Sequence, residues 1–163
     1  MKQVAAVQVR SMQSGDLERV LEIAQLRSEA PHWSAEAYQR AMDSAATPRR
    51  YARVAERAGE LLGFAVVVAI AGEAELESIA VAPEAERQGV GRLILGHLLD
   101  LAQKENLSRI LLEVRASNQR AIGFYRALGW QATGVRKRYY ADPEEDAVLM
   151  EILVAAPAVQ RLL

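Results

Sequence analysis

The chain has 163 residues, of which 51% are hydrophobic and 25% charged, and its net charge is −1. This balance is typical of a soluble globular protein of one domain and argues against a general nucleic-acid binder, which carries a broad basic face. Cysteine is absent and histidine occurs twice, so disulfides and thiol catalysis are excluded and a metal centre is not expected. The N-terminus does not resemble a signal peptide, and the longest apolar run, residues 61–71, is too short for a membrane span of about 20 residues. We therefore expect a cytoplasmic protein that binds neither nucleic acid nor membrane.

The hydrophobic pattern predicts strands and helices in the order βααβββαβαββ, a mixed α/β domain. A strand over 4–12 precedes a helix within 14–30 and a short helix over 34–42. The next strands cover 51–56, 61–70 and 74–83, and the first two form a hairpin. A helix over 93–106, a strand over 109–115, a helix over 119–128 and strands over 130–140 and 147–154 complete the order, with a turn at 141–146. We assign residues 1–154 to a single domain and 155–163 to a loosely attached tail.

A glycine turn precedes the third helix, in the segment "IAVAPEAERQGVGRLIL". Gly89 and Gly91 let the backbone approach a ligand closely, and the first N–H groups of a helix have no partner within it. With the positive end of the helix, Arg87 and Arg92, these donors predict a pyrophosphate site. The alternative is a flexible turn with solvated arginines. The segment lacks the lysine of a P-loop and the third glycine of the dinucleotide-binding fingerprint.

The strand "RILLEVR" at 109–115 carries a carboxylate, Glu113, among leucines. Because side chains alternate between the faces of a strand, Glu113 shares a face with Arg109, Leu111 and Arg115. A charge in a central strand contradicts its apolar surroundings, and such contradictions tend to mark functional sites. Glu113 is therefore a candidate general base. The alternative is a structural salt bridge with a nearby arginine such as Arg115.

The helix that follows, "QRAIGFYRAL", begins after Asn118, which suits an N-cap, and ends before a glycine. Ile122, Tyr125 and Leu128 recur at helical spacing, so the spacing favours Tyr125 as a core aromatic. Its hydroxyl is also able to act as a general acid beside whatever Glu113 serves.

Several segments together resemble the GNAT superfamily of acyl-CoA N-acetyltransferases: "ELESIAVAPEAERQGVGRLILGHLLDLA", "LLEVRASNQRAIGFYRALGW", "VRKRYY" and "EDAVLM". More narrowly, they are similar to the RimI branch, the bacterial ribosomal-protein N-terminal-alanine acetyltransferases. The similarity runs from about residue 73 to 152. It is weaker in the N-terminal helices, where "APHWS" resembles a Pro-Trp-Ser segment of the branch.

The resemblance implies the GNAT acyl-CoA N-acyltransferase fold, a mixed, mostly antiparallel sheet of about seven strands flanked by about four helices. In that family acetyl-CoA lies in an opening between the fourth and fifth strands, and no metal is required. Glu113 corresponds to the family's general base, and Tyr125 to the acid that protonates the departing CoA thiolate. Trp33, Tyr139 and Tyr140 are expected to border the acceptor groove. The positions that correspond to acetyl-CoA contacts are Ile79, Ala80, Val81, Arg87, Gln88, Gly89, Val90, Gly91, Arg92, Asn118 and Tyr125.

Two carboxylates depart from the family pattern or compete with the assignment. Glu86 stands where the family's loop usually begins with Gln or Arg, and Glu77 lies where other GNAT enzymes keep a catalytic carboxylate. The expected activity is direct acetyl transfer from acetyl-CoA to the N-terminal α-amine of a protein, such as a small-subunit ribosomal protein. The alternatives are acetylation of lysine side chains or of a small-molecule amine, and a non-catalytic acyl-CoA-binding scaffold.

Overall fold

Within residues 5–156, which the computed structural model describes, the chain forms seven strands and four α-helices in the predicted order. Short 3-10 turns precede the first helix and follow the fourth strand. The elements are β1 (Gln8–Ser11), α1 (Leu17–Gln25), α2 (Ala35–Met42), β2 (Arg49–Arg57), β3 (Glu60–Ile70), β4 (Glu73–Val81), α3 (Val90–Lys104), β5 (Arg109–Arg115), α4 (Gln119–Ala127), β6 (Gln131–Ala141) and β7 (Glu144–Leu153).

The strands are hydrogen-bonded in the order β1-β2-β3-β4-β5-β7-β6. The pairs β1–β2, β2–β3, β5–β7 and β6–β7 are antiparallel. β4 and β5 are parallel and pair through Ala74 with Ile110 and Glu75 with Leu111. The prediction of a mixed, mostly antiparallel sheet flanked by four helices is confirmed.

The chain divides into two compact units, of which the first comprises Met1–Ile70 and Leu76–Leu98. Its core centres on β3, where every residue from Leu61 to Val68 is buried, as expected for a valine-rich strand covered on both faces. Phe64 of β3 meets Tyr38 of α2 edge-to-face with ring centroids 5.6 Å apart. The apolar stripe of α1 is also buried, through Val20, Ile23 and Ala24.

The second unit comprises Ala71–Glu75 and Leu99–Leu163. Alternate residues of β5 are buried, namely Ile110, Leu112 and Val114, so the predicted two faces of this strand are confirmed. The buried residues of β7, Ala147 and Met150, belong to the same unit. The assignment of residues 1–154 to one domain stays a prediction. Of the predicted tail, residues 157–163 lie outside the described residues.

Two strands begin three or more residues away from the predicted position. β1 begins at Gln8 rather than at residue 4. β7 begins at Glu144, because the turn after β6 occupies two residues, Asp142 and Pro143, instead of the six predicted. Three of the acidic residues assigned to the turn, Glu144, Glu145 and Asp146, are therefore residues of β7. Within the described residues no helix is long and apolar enough to cross a membrane.

Candidate active site

The predicted glycine turn leaves β4 through a 3-10 turn, Pro83–Ala85, and enters α3 at Val90. Two of its residues have positive φ, Arg87 at 57° and Gly89 at 78°. The N–H of Leu93 donates to the Gly89 carbonyl at 3.0 Å and begins the helical ladder. The N–H groups of Val90, Gly91 and Arg92 precede this bond and have no acceptor within the helix. They point along the positive end of α3, which suits an anion.

Side-chain contacts of the first unit hold this turn in place. The Glu86 carboxylate lies 2.6 Å from the Arg27 guanidinium, which also donates to the Val81 carbonyl at 2.8 Å. The Gln88 amide donates to the Glu84 carbonyl at 2.9 Å. Glu86, the departure from the family pattern, is therefore neutralised by an arginine. Arg87, just before α3, and Arg92, in its first turn, are exposed.

The end of β4 presents two different faces. Ala80 faces the core, whereas Ile79 and Val81 are half-buried on the face that also carries Glu77. A Cβ on Gly63 of β3 would lie 2.8 Å from the Ala80 carbonyl oxygen, so glycine is required for this close approach of β3 and β4. Both Glu77 carboxylate oxygens accept from Arg50, at 2.7 and 2.9 Å. Such a two-point, charge-assisted pair is strong and fixes the orientation of Glu77.

In the second unit, Glu113 projects from β5 on the half-buried face of that strand and keeps 17% of its side chain exposed. Its carboxylate lies 2.9 Å from the Arg136 guanidinium of β6, whose side chain is 58% exposed. Interaction with the Glu113 carboxylate raises the pKa of Tyr139 to about 12. The salt bridge of the alternative interpretation therefore forms, and its arginine is Arg136 rather than Arg115.

Arg115 has other partners. Its guanidinium lies 4.1 Å above the Tyr140 ring and 3.3 Å from the Glu145 carboxylate. Glu145 also accepts from the N–H of Ser117 at 2.5 Å, and the Ser117 side chain and backbone, followed by Arg115, lower the pKa of this carboxyl group. This carboxylate therefore ties the turn between β5 and α4 to β7. Tyr140 packs edge-to-face on Tyr139 at 5.0 Å.

The predicted cap of α4 is confirmed, because the Asn118 Oδ1 accepts from the Ala121 N–H at 3.1 Å. Tyr125, one of the buried residues of this helix, is 7% exposed, and its ring lies 5.5 Å from those of Phe124 and Trp130. Burial raises the pKa of Tyr125 to about 12. The core packing that spacing favours for Tyr125 is confirmed, and its phenol remains protonated at neutral pH.

Trp33 lies in the segment before α2 and is half-buried, with its ring 5.4 Å from that of Tyr38. The Ser34 side chain caps α2 by accepting from the Ala37 N–H at 3.2 Å. This cap fixes the start of α2, two residues after Trp33. Among the described residues, no group of three or more His, Asp or Glu side chains is arranged to hold a metal ion.

The structure thus pairs Glu113 with Arg136, which the sequence did not single out. The basic run at 136–138 was the only signal for this arginine, and a basic run is ordinarily a solvated surface. Glu77 and the glycine turn belong to the first unit, and Asn118 and Tyr125 to the second.

A sequence profile of the Acetyltransferase (GNAT) family matches residues 17–130. That range includes the glycine turn, Glu113 and Tyr125 and ends before Tyr139. The chain is 40% identical over 99 residues to the ribosomal protein bS18-alanine N-acetyltransferase of Escherichia coli (strain K12), a match that covers 60% of this chain and 67% of the relative.

Other similarities extend over nearly the whole length. The chain is 32% identical over 154 residues to the putative ribosomal protein bS18-alanine N-acetyltransferase of Bacillus subtilis (strain 168), covering 94% of this chain and 99% of the relative. Among solved structures, the crystal structure of the ribosomal-protein-S18-alanine N-acetyltransferase from Escherichia coli is similar with a TM-score of 0.78 and 31% identity. That match covers 97% of this chain and 99% of that structure.

Proposed function

The chain belongs to the GNAT acetyltransferase family and is an acyltransferase, and on this premise we propose that it acetylates the α-amine of an N-terminal alanine. The relatives that it matches are named for the alanine of ribosomal protein bS18, and one of those matches spans nearly both whole chains. A small-subunit ribosomal protein is therefore the proposed acceptor. The observation that carries the chemistry is the Glu113 carboxylate, which projects from β5, is 17% exposed and is paired with an exposed arginine.

The residues of the glycine turn fit the acetyl-CoA that GNAT enzymes use. The backbone N–H groups at the start of α3 and the exposed Arg87 and Arg92 form a donor set suited to a pyrophosphate. We assign cofactor binding to this turn from Arg87 to Arg92, to Ile79, Ala80 and Val81 of β4, and to Asn118 and Tyr125. When bound, acetyl-CoA supplies the acetyl group as an activated thioester.

Removal of a proton from the acceptor is the first task of the chain, since a protonated amine is not a nucleophile. We assign this task to Glu113. Its partner Arg136 is 58% exposed, and an ion pair of that kind contributes at most about 1 kcal/mol. An incoming ammonium group, which carries the same charge as the guanidinium, is therefore able to replace Arg136 beside the carboxylate.

Glu77 is less suited to this task than Glu113. Arg50 engages both Glu77 oxygens, and the two side chains of that pair are 29% and 19% exposed. Withdrawing Glu77 from this pair would leave the half-buried Arg50 guanidinium without its partner. The free-energy cost would be several times that of replacing Arg136 beside Glu113. This difference supports Glu113 as the base, with Glu77 in a structural role on β4.

Protonation of the departing CoA thiolate is the second task, and we assign it to Tyr125. A general acid must hold its proton at the working pH. Burial raises the pKa of Tyr125 to about 12, so its phenol is protonated at neutral pH. The acceptor side is assigned to Trp33, Tyr139 and Tyr140. Of these, Tyr139 is 47% exposed, and the guanidinium of Arg136, the partner of the proposed base, lies 5.6 Å from the centre of its ring.

A panel of peptides tests the proposed function. The chain is incubated with acetyl-CoA and peptides that begin with Ala, Ser or Met, with matched peptides that are blocked at the N-terminus and contain lysine. We expect the Ala peptide to react fastest and the blocked peptides not to react. Acetylation of blocked, lysine-containing peptides alone would overturn the α-amine assignment. CoA binding without turnover on any amine would instead identify a scaffold.

A further inference from the structure

One side chain joins the end of α1 to the proposed cofactor site. Arg27 is the second residue after this helix, and its side chain is 23% exposed. Its Nε donates to the Val81 carbonyl at 2.8 Å, and its Nη1 lies 2.6 Å from the Glu86 carboxylate. The guanidinium therefore fastens both the last residue of β4 and a residue of the glycine turn to the end of α1. All of these residues belong to the first unit.

The backbone of Arg27 is held at both of its polar groups. Its N–H donates to the Ala24 carbonyl at 3.1 Å, and its own carbonyl accepts from the Ala30 N–H at 3.3 Å. The Nε2 of His32 lies 3.2 Å from the same carbonyl oxygen. Because the side chain starts from a fixed backbone and ends on two acceptors, the guanidinium has a defined position between β4 and the glycine turn.

Glu86 brings a negative charge to a turn that is proposed to bind an anion. It stands where the GNAT loop usually has Gln or Arg, three residues before Gly89. A carboxylate at this place repels a pyrophosphate at the start of α3, since like charges repel. The Arg27 guanidinium supplies the opposite charge, so the pair as a whole is neutral. The next residue, Arg87, has φ of 57°, a conformation that persists where neighbouring contacts hold the chain.

We propose that Arg27 is a positioning residue of the acetyl-CoA site, which balances the charge of Glu86 beside the pyrophosphate and ties the glycine turn to the end of β4. The proposal rests on the proposed function, because it requires the pyrophosphate to bind at this turn. Arg27 acts through Glu86 and Val81 rather than on the cofactor itself. Its effect is therefore read from the affinity for CoA, which can be measured without any turnover.

Breaking the ion pair from its two sides should change the CoA affinity in opposite directions. Arg27→Met leaves the Glu86 charge on the turn without the guanidinium, and should weaken CoA binding about fivefold. Glu86→Gln removes the negative charge and retains an oxygen that accepts from Arg27, so it should strengthen CoA binding by a similar factor. The double variant has neither charge and should bind CoA within about twofold of the wild type. Isothermal titration with CoA at low ionic strength measures all four affinities. A merely structural loss at Arg27 would not be rescued by the substitution at Glu86.

Ionic strength and a matched variant separate charge from shape. The screening length falls from about 30 Å at 0.01 M salt to about 8 Å at 0.15 M. The ratio between the CoA affinities of the wild type and Arg27→Met should therefore become smaller as salt is added. Arg40→Met removes the same charge from an exposed position of α2 and should leave the affinity within about twofold of the wild type. Circular dichroism checks folding. If Arg27→Met does not fold, Arg27→Lys, which keeps the charge and should bind CoA like the wild type, is compared with Glu86→Gln.

The kinetic readout uses an Ala-starting peptide and a range of acetyl-CoA concentrations. We expect Arg27→Met to raise KM for acetyl-CoA about fivefold and to keep kcat within about twofold of the wild type. Unchanged CoA affinity in Arg27→Met, or a double variant that binds CoA as weakly as Arg27→Met, overturns the proposal. A Glu86→Gln chain that binds CoA no more tightly than the wild type overturns it as well. A wild-type chain that does not bind CoA contradicts the proposed function instead, and one that binds CoA without turnover still decides the role of Arg27.

Discussion

Substitution of Gly89 by alanine is the sharpest test of the glycine turn, because the structure gives both the sign and the size of its effect. Gly89 has φ of 78° and precedes α3 directly. No atom lies within 4 Å of an added Cβ, so no clash contributes. A left-handed conformation costs an L-residue roughly 1–2 kcal/mol, and the stiffer unfolded chain returns about 0.4–1 kcal/mol. Gly89→Ala should therefore lower the free energy of unfolding by about 1 kcal/mol.

Gly96 supplies the matched control, since it lies within α3, is exposed and also has no atom within 4 Å of an added Cβ. In a helix interior alanine is more stable than glycine by roughly 0.5–1 kcal/mol. The same substitution in the same helix should thus have the opposite sign. Urea unfolding followed by circular dichroism measures both differences.

Ligand binding separates the two variants again. A Cβ at Gly89 keeps a phosphate away from the backbone donors, so Gly89→Ala should weaken CoA binding at least several-fold, whereas Gly96→Ala should leave it unchanged. Isothermal titration with CoA measures the affinity. Equal CoA affinity in wild type and Gly89→Ala would refute the assignment of the pyrophosphate to this turn. Equal stability of the two variants would refute the argument from φ.

The remaining predictions concern carboxylates and the buried tyrosine. Glu113→Gln should lower kcat about 100-fold or more for an Ala peptide, and Glu77→Gln much less; the reverse order would move the base to Glu77. Tyr125→Phe should lower kcat about tenfold or more. Because the pKa of Tyr125 is raised to about 12, its phenol stays protonated near pH 10, so the kcat of the wild type and of the variant should depend on pH in the same way up to that pH. The Asp16 carboxylate accepts from Arg10 at 2.8 and 2.9 Å, and these bonds lower the pKa of Asp16 below its usual 3.8. The ionised carboxylate therefore stabilises the fold at pH 7, and this stabilisation is lost as the pH falls through the lowered pKa. Asp16→Asn should thus lower the free energy of unfolding by about 1 kcal/mol at pH 7, and chemical unfolding at pH 7 and pH 3 should find a smaller difference at pH 3.

Local patterns in the sequence were sufficient for the elements that carry the site. Alternation along β5 places Glu113 on the half-buried face, and Asn118 caps α4, because both properties depend on neighbours a few residues away. The glycine turn could be placed at the start of α3 for the same reason. These features are set by local sequence and were predicted correctly.

Contacts between distant segments were not predictable in the same way. The partner of Glu113 depends on the register of β6 against β7, and the bulge at 137–139 shifts that register. The acidic residues 144–146 were assigned to the turn at 141–146. In the structure they are strand residues, and Asp146 supports an arginine with positive φ. A pattern of single residues does not contain this information, since it arises from pairing across strands.

A single peptide carrying both kinds of amine tests the central claim most directly. It begins with a free N-terminal alanine, contains one internal lysine, and is incubated with acetyl-CoA and the wild-type chain. Tandem mass spectrometry of the product locates the acetyl group. We expect it on the alanine α-amine, with the lysine unmodified. An acetyl group found on the lysine, with the α-amine free, would contradict the account.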